Sequence, residues 1–155
     1  MSQDSIGPFT SALEQAPLVL RAKTMQVDDF HATGTHVNRT ELEDRIKSIR
    51  HGKYGAFIIY KSDYGPQLFI NVNSDLAYIH YFDDSSGANA GYQPDRSGQS
   101  DMPRMTIDFI QVDKDVANGF SMPMQCIVPL SDAIAAALEF FDVYKRPSCI
   151  NWLQL

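Results

Sequence analysis

Residues 129–155 read PLSDAIAAALEFFDVYKRPSCINWLQL, a helix with both ends marked and then a short strand. Ser131 is a good N-cap, because its hydroxyl oxygen can accept from the free amides of a first turn. Asp132 adds negative charge where the helix dipole favours it. Ile134, Leu138 and Phe141 recur at i, i+4 and i+7, one apolar stripe at helical period. Lys145 and Arg146 suit the carboxyl end, and Pro147 forbids continuation. Cys149, Ile150 and Trp152 then have the apolar, β-branched and aromatic character of a brief buried strand. The stretch is expected to run helix, sharp turn, core strand.

Working back towards the start, Ser121 to Val128 is an apolar strand that begins at an edge, since Pro123 lacks a donor. Asp113 to Gly119 is a polar turn with room for a helical turn at 115–118. Met105 to Val112 alternates and predicts another strand. Asp83 to Pro103 is rich in Gly, Ser, Asp and Asn and exceeds ordinary connector length, so it is expected as a long surface loop. The segments 56–60, 67–72 and 76–82 are apolar runs of strand length. Asp63-Tyr64-Gly65-Pro66 and Asn73-Ser74-Asp75 punctuate them with turn chemistry. Connections so short can only make an antiparallel meander. Before it, Thr40 and Glu43 have capping-box spacing, Leu42, Ile46 and Ile49 form a helical stripe, and Gly52 supplies a stop. His31 to Val37 reads as a connector, Met25 to Phe30 as an edge-like strand, and residues 1–24 as a partly frayed start with one turn at 11–15.

These elements predict an α+β fold: an antiparallel sheet of about five or six strands with two main helices packed on one face. At 155 residues the chain is expected to form a single domain, 1–155. Apolar residues make up 44% and charged residues 21%, which excludes disorder throughout. A formal charge of −6 disfavours direct nucleic-acid binding, which needs cations at phosphates. It would steer in a basic partner, and it also serves solubility. Cys126 and Cys149 are too few for a disulfide framework and sit in apolar runs, so both read as small buried hydrophobes. The opening MSQDSIGPFTSALEQ lacks a basic region and a long apolar core, so no signal peptide is expected. No apolar run approaches the ~18 residues of a membrane span. The expected location is the cytoplasm.

A search for chemistry finds little. His31, His36, His51 and His80 are scattered, and none forms a helix-borne His-x-x-x-His pair. His80 with Asp83 and Asp84 could begin a metal site, and a small metal-dependent enzyme is the alternative they support. Such a site needs a third ligand that spacing does not reveal. Gly87, Gly91 and Gly98 are irregular and open no strand-to-helix phosphate loop. Ser85-Ser86-Gly87 lacks the strand-turn-helix setting of a nucleophile elbow. The deaminase signature, His-x-Glu with Pro-Cys-x-x-Cys, is absent from the sequence. No catalytic residue, metal or other cofactor is expected. A peptide-binding adaptor using a sheet edge is a further alternative.

Phe140-Phe141, Arg146-Pro147 and Trp152 together resemble the C-terminal signature of a bacterial immunity-protein family of polymorphic toxin systems. The central stretch PQLFINVNSDLAYIHYFDD, residues 66–84, resembles that family's hairpin of two hydrophobic strands. The family often accompanies deaminase toxins and includes the immunity protein of a double-stranded-DNA cytidine deaminase toxin. The resemblance implies an inhibitor that binds a cognate toxin domain one to one and occludes its active site, with no membrane partner. Phe140, Phe141 and Trp152 occupy core positions by pattern, so the expected partner-binding residues lie elsewhere: Asp83, Asp84, Tyr92, Asp95, Arg96 and Asp101. Tyrosine and arginine are common anchors, and carboxylates suit the cationic surface of a nucleic-acid-acting toxin.

Overall fold

The computed structural model describes residues 23–49, 53–84, 90–99, 101–112 and 119–155. In chain order the elements are β1 (Met25–Asp28), β2 (Thr35–Val37), α1 (Arg39–Lys47), β3 (Tyr54–Tyr60), β4 (Gln67–Asn73) and β5 (Leu76–Phe82). There follow β6 (Tyr92–Pro94), β7 (Thr106–Phe109), β8 (Phe120–Pro123), β9 (Ile127–Pro129), α2 (Leu130–Val143) and β10 (Trp152–Gln154). The expected turns at 11–15 and 115–118, the stop at Gly52 and the Ser85-Ser86-Gly87 run lie outside the described residues.

The meander β3-β4-β5 is in place and forms the centre of the sheet. It is held by full antiparallel registers from Tyr54↔Asn73 to Tyr60↔Gln67 and from Gln67↔Phe82 to Asn73↔Leu76. The sheet extends as β10-β6-β5-β4-β3-β1-β2, and β9 lies beside β5 at the end that β6 leaves open. Two helices on an antiparallel sheet make the α+β class expected, with more strands than five or six: eight in the main sheet and two, β7 and β8, paired separately among the described residues. The surplus comes from three-residue strands at 35–37, 92–94 and 127–129, too short for an apolar period to show.

Alternate residues of the meander point at the helices. Ile59, Leu68, Ile70, Val72 and Ile79 are fully buried against Leu42 and Ile46 of α1 and Phe140 of α2. Ala133, Ala136 and Ala137 line the same face of α2 with no exposure, and their small side chains let the helix lie close to the sheet. Arg39 and Asp142 bridge the two helices at 3.1 Å, with both side chains about half exposed. Such a pair contributes little beyond orientation.

Several local expectations change. The capping box is Asn38 with Glu41, not Thr40 with Glu43. Asn38 Oδ1 accepts from the Glu41 amide at 2.8 Å, and Glu41 Oε2 accepts from the Asn38 amide at 3.3 Å. Strand β2 ends at Val37, so the chain enters the helix two residues before Thr40, and Glu43 is left to pair with Lys47. Residues 31–37, expected as a connector, contain β2, which takes the sheet edge and places β1 inside it. Ser131 does not cap α2, which begins at Leu130 directly after β9. The Leu130 amide donates instead to the Asp75 carbonyl in the β4–β5 turn at 2.8 Å.

The stretch 121–128 is not one strand. It breaks at a 3-10 turn, Met124–Cys126, so that β8 pairs with β7 and β9 with β5. The buried line of α2 is Ala133, Ala136, Ala137, Phe140 and Phe141, while Ile134 and Leu138 are half-buried at its margin. Helix α2 ends before Pro147, with Tyr144 in the left-handed region at φ 54° and its amide donating to Phe140 O. The last strand is an edge and not core: Ile150 is buried, Trp152 half-buried, and Cys149, Leu153 and Leu155 are exposed.

Phe140 has no exposed surface and meets Tyr81 edge to face and Tyr144 at a tilt, at ring distances of 6.1 and 5.4 Å. Truncation to Ala leaves a cavity between helix and sheet, so F140A should lose about 3–5 kcal/mol in urea unfolding with an unchanged m-value.

Candidate functional site

Every second residue of β3, β4 and β5 points away from the helices, and this second face is mixed, with Ile58, Phe69, Tyr78 and Phe82 beside Asn71, Asn73 and His80. Hairpin β7–β8 covers one end of it. Phe109 and Phe120 stack at 5.7 Å and close over Tyr78, Cys126 and Ile127 in a second, smaller core. Two asparagines of β4 hold the hairpin down. Asn71 Nδ2 donates to Ile110 O and Asn73 Nδ2 donates to Asp108 O, each at 2.9 Å. Asn71 is the buried polar residue of the core, and its bond to a main-chain carbonyl is what makes that burial tolerable.

Beyond the hairpin the second face stays open as a groove of about 620 Å³. Its floor is Ile58, Phe69, His80 and Phe82, all half-buried, and Val112, Phe120 and Met122 form the opposite wall. The floor is already packed: Phe69 meets Phe82 edge to face at 5.3 Å, and His80 stacks on Phe82 at 4.2 Å. Asp28 stands at the β1 side of the groove. Its Oδ1 accepts from the Gly34 amide at 2.7 Å and from the Tyr60 hydroxyl at 2.9 Å. Burial and this carboxylate push the Tyr60 hydroxyl up to about 12, so the tyrosine remains a donor.

His80 Nε2 lies 2.6 Å from the Ala90 carbonyl, so that nitrogen carries the proton. Removal from water outweighs this bond and lowers the imidazole below its ordinary 6.5. The contact depends on Gly91, which adopts φ +80° where the chain returns against β5. A Cβ there would stand 2.5 Å from Tyr81 O.

The six residues expected to bind a partner fall into separate places. Asp95, Arg96 and Asp101 come together around two neighbouring depressions of about 330 and 610 Å³, joined at Arg96. Much of Arg96 is committed within the chain, with Nη1 donating to Ile127 O at 2.8 Å and Nη2 to Gln99 Oε1 at 2.9 Å. Asp95 accepts from the Ser97 hydroxyl and amide, which holds its carboxyl below the usual range. Tyr92 is half-buried on β6 beneath the Arg146 guanidinium, 4.0 Å from the ring centre. Asp83 is exposed and Asp84 half-buried just after Phe82, apart from both depressions and next in sequence to the groove floor.

Among the described residues no three His, Cys, Asp or Glu side chains converge as metal ligands. Burial raises the Cys126 thiol, and partial removal of the Cys149 sulfur from water together with the Glu139 carboxylate raises that thiol to about 11 although the residue keeps exposed surface, which makes both poor nucleophiles. No described helix is long and apolar enough to cross a membrane.

Sequence reasoning missed the groove. Its signal was the apolar side chains at second-face positions, Ile58, Phe69, Tyr78 and Phe82, where a sheet wet on that face would carry polar ones.

The C-terminal signature is structural. Phe140 and Phe141 are buried, Arg146 covers Tyr92, and Trp152 Nε1 donates to Pro147 O at 2.7 Å. Residues 39–154 match the family of the immunity protein Imm1. The chain belongs to that family. No curated protein matches the chain. The Imm1 match runs from the first residue of α1 into β10, so it takes in the meander, the hairpin and the groove floor and leaves out β1 with Asp28.

The lowered His80 has a consequence for this Imm1 protein. Between the folded value and 6.5 the unfolded chain binds the proton more readily. The stability from neutral His80 is therefore complete above about pH 6.5 and is lost as pH falls towards the folded value. Thermal melts from about pH 7 to about pH 5 should show a smaller fall in Tm for His80→Gln than for the parent chain.

Proposed function

We propose that this Imm1 protein neutralises a nucleic-acid-acting toxin of the deaminase class, binding one toxin domain in the cytoplasm and covering its substrate cleft. Membership of an immunity-protein family over residues 39–154 carries the reading. The formal charge of −6 supports it, because an enzyme that grips nucleic acid presents cations that an acidic partner can meet and attract. The same charge opposes direct nucleic-acid binding by the inhibitor itself. Raised thiols suit a protein that acts by occupancy and not by covalent chemistry. In this reading Asp83, Asp84, Asp95 and Asp101 supply the acidic surface, with Tyr92 and Arg96 as anchors.

Tagged protein recovered from its native host should bring down one stoichiometric toxin domain. The nucleic-acid deamination activity of that domain should reach zero at a one-to-one ratio. A partner with a different activity would remove the deaminase assignment, and the lack of any toxin would remove the immunity role. Reversing the charge of Asp83, Asp84, Asp95 and Asp101 together should weaken toxin binding by about tenfold or more and flatten its salt dependence. Unchanged affinity would move the acidic contact elsewhere.

A further inference from the structure

We propose that the groove between hairpin β7–β8 and the open end of the second sheet face is where the cognate toxin docks. It takes an apolar side chain from a toxin segment that carries Lys or Arg beside it. This rests on the immunity reading above and adds an anchor pocket to the acidic surface given there.

The argument begins with position. Ile58, Phe69 and His80 lie on the three central strands, where side chains are normally covered, yet each keeps part of its surface open. Helices close the opposite face, and among the described residues the hairpin segment borders this end with Val112, Phe120 and Met122. A concave apolar area of this size, about 620 Å³, has the form of a site that receives an anchor residue. The floor is preformed, since Phe69, Phe82 and His80 already hold one another by ring contacts at 5.3 and 4.2 Å. Docking would therefore order few side chains, which preserves affinity.

Charge selects the occupant. Among the described residues lining the groove there is no Lys or Arg, His80 is held neutral, and Asp28 is the charged group. The Asp28 carboxylate is fixed in place by the Gly34 amide and the Tyr60 hydroxyl, so it is oriented before a partner arrives. A toxin segment that is apolar at its tip and cationic beside it satisfies both features. A second copy of this acidic chain would bring like charge to the same place.

The test uses the full chain and the purified toxin domain recovered by co-purification. Affinity is measured for the parent, Phe69→Lys, Phe69→Ala and Asp28→Asn, with thermal melts of each. Phe69→Lys should weaken binding by about thirty-fold or more, as expected of an anchor pocket that receives a charge. Should that variant unfold, Phe69→Ala replaces it and should show a loss of about tenfold while melting as a folded protein. Asp28→Asn keeps the shape and should lower affinity together with the steepness of its salt dependence. A photo-crosslinking residue at position 69 should join the toxin chain.

Parent-like affinity in folded groove variants, while the parent inhibits the toxin, overturns the docking surface and leaves the immunity reading standing. A crosslink between two copies of this chain overturns it in favour of self-association. A parent that fails to inhibit the toxin removes the immunity reading, and the docking surface falls with it.

Discussion

The central strands carry one fully apolar face and one mixed face of rings and amides, and the rest of the structure follows from having to cover both. Leu68, Ile70 and Val72 of β4 face one way while Phe69 and Asn71 face the other, and β3 and β5 repeat the arrangement. One face is closed by α1 and α2, with alanines where α2 approaches most closely. Among the described residues the second face meets the short hairpin β7–β8, whose four-residue strands cover part of it. The uncovered remainder is the groove.

Polar side chains are placed where they hold the two layers in position. Asn71 and Asn73 reach the main chain of the hairpin segment from the sheet, and Asn71 does so from a buried site where an unpaired amide would be costly. On the other face, Glu139 of α2 accepts from the Ser148 amide and hydroxyl and from the Cys149 amide, which fixes the path from helix to last strand. These hydrogen bonds lower the Glu139 carboxyl and so join it firmly to the turn. That turn aims Trp152 back at Pro147 and delivers β10 to the edge of β6. The family signature at the C-terminus thus maintains the frame.

Binding surfaces were less legible than elements. Asp95, Arg96 and Asp101 were readable as exposed polar residues in a glycine- and serine-rich segment, and the fold does gather them around shared depressions. Tyr92 looked like a loop aromatic but belongs to a strand, under Arg146, because β10 returns to pair with it. Ile58, Phe69 and Phe82 were readable only as members of strand-length apolar runs, since local pattern cannot say which face of a strand is left uncovered. Asp28 joins them only through β1–β3 pairing, across more than thirty residues of sequence.

What the amino-acid sequence determined by itself is local. The meander follows from apolar runs broken by two short turns, and the two helices follow from their stripes, because period and turn chemistry act over a few residues. The negative charge and the lack of a deaminase signature are likewise read directly. Tertiary structure decided the rest. It selected Asn38 over Thr40 as the cap because β2 ends there, and it started α2 early because the Asp75 carbonyl was available to Leu130. It divided 121–128 between two sheets and left one end of the second face open. Each of those outcomes depends on which distant backbone and side chains share a surface, and that information appears only when the chain is closed on itself.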